Sequence, residues 1–349
     1  MSTSALAALP DLHAVPGPFW LLTILHLLAF VLHLAAMASL VGGVLVVLLD
    51  RSPDRWDRPA VRRLLALFPA LMAATVSLGI GPLLFLQLSY GQVAYAAAIT
   101  SATFWLLVPL LAMAAYACLG AAARRPPGDA RAGRHLHLGF TFLMAVALVY
   151  SSTFSLAEHP EVYARLYATS ASGLVLNPDV LGWGPRWLQA VAGAAALGAF
   201  VTRLVVRDDE ALRATAARLL ARTATVAAVA AGARVALDAG LRDALGAAGF
   251  AALGAGAALP LAAAALVRGA GRGRERAAGA ALVVGLVASV VARHVARLGT
   301  LSGRFDPAAA TVRPQWDVFA VFVVCLLGAA ATMAWMRRIW FAGRGARDR

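Results

Sequence analysis

The chain reads as an all-α, polytopic membrane helix bundle, and three observations predict it. Apolar runs of about twenty residues, the length that crosses a bilayer core as a helix, recur from residue 19 to residue 337. Hydrophobic residues fill 61% of the 349 positions and the mean hydropathy is +0.76, more apolar surface than a soluble globule of this size can cover. All 31 basic residues are arginine, and they segregate by loop rather than into a patch.

Nine spans are expected, at about 19–49, 64–90, 100–123, 136–157, 186–206, 215–236, 245–267, 277–299 and 316–337, in a single transmembrane domain covering 1–349. Loops after odd-numbered spans, with the C-terminal tail, hold 23 arginines and 9 acids, whereas the N-terminus and the loops after even-numbered spans hold 8 of each. The net +14 thus falls on one side. By the positive-inside rule the N-terminus lies outside and the C-terminus in the cytoplasm, as in a multi-pass protein of the bacterial cytoplasmic (inner) membrane. Membrane lipid headgroups account for the charge, so no nucleic-acid partner is called for. Residues 1–18 lack a basic n-region and the first span is too long for a signal-peptide core, so this span is expected to be retained. Cys118 and Cys325 sit in separate apolar spans without a CxxC or CxxCH motif, which argues against a disulfide framework and covalent haem attachment.

The N-terminal lead holds His13, read as solvated, and ends in prolines and Gly17 that deliver the chain to the first span. That span, FWLLTILHLLAFVLHLAAMASLVGGVLVVLL, carries no charge but two histidines, His26 and His33. Seven residues apart, they share a helix face about 10.5 Å from each other along the axis. Imidazole in hydrocarbon must pair, ligate or face water. Hydrogen bonding to a neighbouring carbonyl and ligation of a buried cofactor are the two readings. The arginines of RSPDRWDRPAVRR then anchor a loop at the headgroups.

In the second span, Gly79, Gly81 and Pro82 loosen the helix ladder and allow close approach of a neighbour or cofactor, or form a plain packing face. No acid occurs between Asp57 and Asp129, so the third span has none. His135 and His137 open the fourth span beside Arg131 and Arg134 and read as wet interfacial residues. The long loop after it holds Glu158, His159 and Glu161, read as solvated, with contact to a soluble partner or a proton route as the alternative. Spans five to seven are rich in Ala, Gly, Leu and Val, which suits small-residue packing. Only RVALDAGLRDA separates the sixth from the seventh, which leaves no extramembrane domain there.

The eighth span ends SVVARHVARLGTLSGRF, where His294 and Arg297 share a face and Arg293 lies alongside. His26 is about seven residues in from the outer end of its span and His294 about six, so their depths match. Imidazoles on iron and arginines on propionates make a coherent b-type haem site. Snorkelling to headgroups is the alternative for the arginines. Beyond this span lie Arg313, Gln315, Trp316 and Asp317, and Trp316 is assigned to an aromatic belt with Trp20, Trp183 and Trp187.

These residues resemble subunit I of cytochrome bd quinol oxidase, a nine-span haem protein of the same orientation, over most of the chain. LTILHLLAF resembles the family's first span, with His26 at its haem-ligating histidine. LFPALMAATVSLGIGPLLFLQLSYGQ resembles the second span, with Gln87 at the matching glutamine, and SGLVLNPDVLGWGPRWLQAVAG resembles the loop into the fifth. VARHVARL resembles the end of the eighth, with His294 where the family has a glutamate ligand and Arg297 three residues on. Gln189 stands at the low-spin haem histidine, the seventh span has neither Met nor His, the quinol loop is reduced to RVALDAGLRDA, and the third-span glutamates are absent.

The resemblance therefore implies the high-spin haem pocket alone, holding one or two haem b groups. His26 and His294 are its iron ligands, Arg297 and Arg293 its propionate partners, and His33 a further ligand or a step in a proton path. It implies an oxidoreductase subunit that passes electrons between a quinone or a periplasmic c-type cytochrome and partner subunits. A divergent quinol:oxygen oxidoreductase, and a haem-free scaffold or transporter on the same fold, are the alternatives.

Overall fold

The structure, a computed structural model, describes residues 13–170, 172–269 and 271–345. The start of the N-terminal lead and residues 346–349 of the expected cytoplasmic tail lie outside the described residues. Among the described residues ten α-helices follow one another: α1 (Phe19–Leu49), α2 (Pro59–Thr100), α3 (Ala102–Arg124), α4 (Arg131–Ala157), α5 (Pro160–Thr169), α6 (Val180–Val205), α7 (Glu210–Leu237), α8 (Ala239–Val267), α9 (Arg272–Leu301) and α10 (Trp316–Gly345). No strand occurs among the described residues, and one isolated bridge joins Val15 to Val312. Eight helices, all but α5 and α10, are long and apolar enough to cross a membrane, so the chain is an all-α polytopic bundle. The ninth expected span falls in α10, whose described apolar stretch is the shorter Trp316–Gly328.

Loop contacts show that the chain crosses back and forth. Arg58 pairs with Asp50 at the end of α1 and, at 2.9 Å, with Asp209 at the start of α7, while Arg63 pairs with Asp208 at 2.5 Å. The Gly128 amide donates to the Trp56 carbonyl, and Glu275 at the start of α9 faces Arg203 and Arg213. The arginine-rich loops therefore share one face. On the arginine-poor face, Val15 exchanges backbone hydrogen bonds with Thr311 and Arg313, and the Thr103 amide donates to Gly173.

Two segments differ from expectation. The second span runs on to Thr100, because the helix bends at Tyr90 (φ −134°, ψ 22°) and continues across the arginine-poor face as a short arm. Pro69 and Pro82 lie inside α2 without ending it. The loop read as solvated contains α5, whose buried Tyr163 packs with Ala97 of that arm and Leu156 of α4.

Small residues hold the core together. α1 crosses α6 so closely that a Cβ on Gly198 would run into the Ala38 carbonyl oxygen, and one on Gly42 into the backbone of Gly198 and Ala199. A second close pairing joins α8 to α9, where Gly256 faces Ser289 and Gly299 faces the Ala244 carbonyl. In a bilayer, where tails are as apolar as leucine, this van der Waals fit replaces the hydrophobic drive between helices. Gly198→Leu should therefore destabilise the solubilised protein by at least the ~3 kcal/mol upper end of ordinary overpacking. Gly193→Ala on the same helix, where a Cβ meets nothing within 4 Å, should be neutral or slightly stabilising in the same thermal-melt measurement.

Candidate functional site

Both histidines of α1 turn toward α2. His26 Nδ1–H donates to the Pro82 carbonyl at 3.0 Å and His33 Nδ1–H to the Thr75 carbonyl at 2.9 Å. Because a carbonyl only accepts, Nδ1 carries the proton in each ring and the Nε2 lone pair is left for another partner. Gly79 makes the approach possible, since a Cβ there would come within 3.0 Å of the His33 ring. The close approach expected at Gly79 is thus made by a histidine of α1. Phe30 stacks between the two imidazoles, with ring centroids 5.9 Å from His26 and 6.3 Å from His33.

The structure brings α9 to the same place. His26 lies within electrostatic reach of Arg297, Arg293 and His294. The Arg293 guanidinium lies 5.4 Å from the Phe30 centroid and 6.0 Å from that of Phe154. The His294 ring stacks on Phe19 at 6.5 Å, and its Nδ1 is buried without a hydrogen-bond partner among the described residues. Arg297 is 5% exposed and lies over Tyr90 at 5.1 Å. Of the other residues singled out in the sequence, Gln87 is half-buried in α2 and makes no side-chain hydrogen bond among the described residues. His135 accepts from Arg125 and His137 donates to the Gly133 carbonyl on the arginine-rich face.

The sequence reading missed the centre of the charge network. Glu158, taken for a solvated loop residue, is 9% exposed just beyond the end of α4. It accepts from Arg186 at 2.6 and 3.2 Å and from Arg297 at 3.4 Å. Burial pushes its carboxyl up, but Arg186, Arg297 and Arg293 override that and hold it at about 2. Arg234 of α7 donates to the Gln189 side chain at 2.7 Å. Four of the eight arginines on the arginine-poor side, Arg186, Arg234, Arg293 and Arg297, therefore converge around one glutamate. Their scarcity on that side was the available signal. His159 and Glu161 do stand at the surface, where Glu161 takes Arg304 at 2.8 Å.

The LVLNP loop builds the wall beside this network. The buried Asn177 donates its amide to Ser152 and its side chain to Ser155, and its carbonyl accepts from the Trp183 indole. Trp183 is thus buried and not part of an exterior aromatic belt, whereas Trp20 and Trp316 are exposed. Asp179 then caps α6 by accepting from the Gly182 amide at 3.0 Å.

Two cavities adjoin the network. One of about 140 Å³ lies between α1, α6, α7, α8 and α9, and one of about 300 Å³ opens beyond it under the arginine-poor face. Arg186, Arg234 and Arg293 line both, and neither is lined by His26, His33 or His294. No group of three or more His, Cys, Asp or Glu suited to a bare metal ion occurs among the described residues. Haem iron needs only one or two protein ligands.

No protein-family model matches the chain, and no curated protein is significantly similar to it.

Glu158 should control acid stability. A carboxyl lowered from 4.5 to about 2 stabilises the fold above its unfolded value, and that contribution is lost as pH falls from about 4.5 toward 2. Melting curves should show the wild type losing stability across this window more steeply than Glu158→Gln. At neutral pH the variant should be less stable by roughly 3–5 kcal/mol, because buried arginines lose their counter-ion.

Proposed function

We propose that the chain is a membrane-embedded b-type haem electron-transfer subunit, related in kind to subunit I of cytochrome bd oxidases. One observation supports it above the others: His26 lies within electrostatic reach of His294, beside Arg293 and Arg297, whose charge exceeds that of their one carboxylate, Glu158. The donor set fits haem on its chemistry. His26 offers Nε2 because the Pro82 carbonyl holds its Nδ1 proton, the second-partner arrangement typical of metal-ligating histidines. His294 keeps a buried ring nitrogen without a partner, and Arg297 suits a propionate, whereas Arg293, the other expected propionate partner, lines the two cavities instead. Phe30 stacks on His26 and Phe19 on His294, with Tyr90 edge-on against Phe19.

When bound, haem supplies a one-electron couple. His26 and His294 would hold the iron through neutral imidazole nitrogens, the ligation of an electron carrier, so electron transfer is favoured over oxygen reduction. The donor and acceptor are a quinone or a periplasmic c-type cytochrome on one side and partner subunits on the other. His33 has its Nδ1 on Thr75 and is assigned to fixing α1 on α2.

The purified protein should show a Soret band and a b-type pyridine haemochromogen at one or two haems per chain. His26→Ala and His294→Ala should each remove or shift the reduced-minus-oxidised signal, whereas His137→Ala on the other face should not. Haem-free protein from haem-replete cells overturns the proposal.

A further inference from the structure

The two cavities share the walls formed by Arg186, Arg234 and Arg293, and their linings differ, one polar and one apolar. The outer one is lined by Glu158, Asp179 and Asp238 as well as the three shared arginines. Each aspartate spends an oxygen on a helix cap, Asp179 on the Gly182 amide and Asp238 on the Leu241 amide. The inner one has apolar walls, among them Leu34, Met37, Leu197, Leu282 and Leu286, and no acid lines it. Arg186, Arg234 and Arg293 stand at the throat between the two.

Three arginines and three acids line the outer cavity, but only the arginines reach the inner one, so the positive charge is unbalanced on that side. Arg186 has Glu158, Arg234 bonds the neutral Gln189 side chain with Glu158 and Asp238 within electrostatic reach, and Arg293 has no ion pair or side-chain hydrogen bond among the described residues. Its guanidinium is held by the faces of Phe30 and Phe154, which supply no countercharge. Guanidinium groups out of water without a counter-anion are costly, and an anion at the throat relieves that cost. Such an anion must also fill an apolar chamber. Gly193 keeps this chamber open, because it lines the wall and a Cβ there meets nothing within 4 Å.

We propose that the two cavities together are a binding site for a single-chain anionic amphiphile, with its carboxylate or phosphate head between Arg234 and Arg293 and its acyl chain in the chamber between α1 and α6–α9. No imidazole lines the site, which meets the histidines only through the Phe30 wall and does not depend on haem.

The test uses full-length protein in non-ionic detergent with cis-parinarate as the fluorescent probe. Saturable binding near one probe per chain is expected, displaced by oleate or lysophosphatidate but not by dodecyltrimethylammonium. The more effective competitor identifies a carboxylate or a phosphate head. Gly193→Phe, which fills the chamber, and Arg234→Gln, which removes a throat charge, should each weaken binding about tenfold or more. Gly193→Leu serves as the second filling variant if Gly193→Phe melts early. Binding no greater than to empty micelles, equal displacement by the cationic amphiphile, or wild-type affinity in a folded filling variant overturns the proposal. Haem content read on the same samples separates the two readings, since amphiphile binding is expected with or without a Soret band.

Discussion

Helices in a bilayer gain nothing by hiding leucine from lipid, so the architecture rests on where two backbones can touch. The α1–α6 crossing at Ala38, Gly42, Gly198 and Ala199 is the contact that the rest of the bundle depends on. It sets α1, with its imidazoles, beside α6, with Arg186 and Gln189, and fixes the width of the chamber between them. Thr202 of α6, its hydroxyl bonded back to the Gly198 carbonyl of its own helix, and Phe68 of α2 both stand against Gly43 of α1. Moving the α1–α6 seam by the width of one methyl group would disturb both the ring positions and the throat.

Above the seam, electrostatics takes over. Glu158 is bonded to Arg186 of α6 and Arg297 of α9, so one carboxylate from the end of α4 ties three helices. The opposite face has its own tie in Asp50, Arg58 and Asp209, which joins the ends of α1, α2 and α7. The bundle is thus clamped at both ends by buried or half-buried ion pairs and packed in the middle by small residues. Positive charge that no acid balances faces the inner cavity, where a ligand can reach it.

Much of the fold was legible because hydrophobic length is a strong signal in a membrane chain. The bounds of α1 agree with its apolar run, and loop charge anticipated which loops share a face. The end of α2 was not legible. Gly79, Gly81 and Pro82 look like the weak point, yet α1 packs against them and the bend falls at Tyr90, where packing with Phe19 and Phe305 sets the geometry. α5 has ten residues and little apolar character, too little for a sequence pattern to stand out. Within the site, span lengths led to the expectation that His26 and His294 lie at one depth, and the structure puts the two within electrostatic reach. Arg186, Arg234 and Glu158 could not be anticipated, because a charge at a span end looks the same in sequence whether it faces water or a buried partner.

The spacing of the Glu158 ligands along the chain also orders its assembly. Arg186 lies 28 residues after Glu158 and Arg297 lies 139 after it. At the ~5–20 residues per second of synthesis, the first pair can close within seconds of Glu158 leaving the ribosome, and the second waits on the order of ten seconds longer. The backbone clasp between Val15 and Thr311 closes later still. The carboxylate at the end of α4 can therefore bond α6 before α9 has been made, and α9 joins a pair that is already closed.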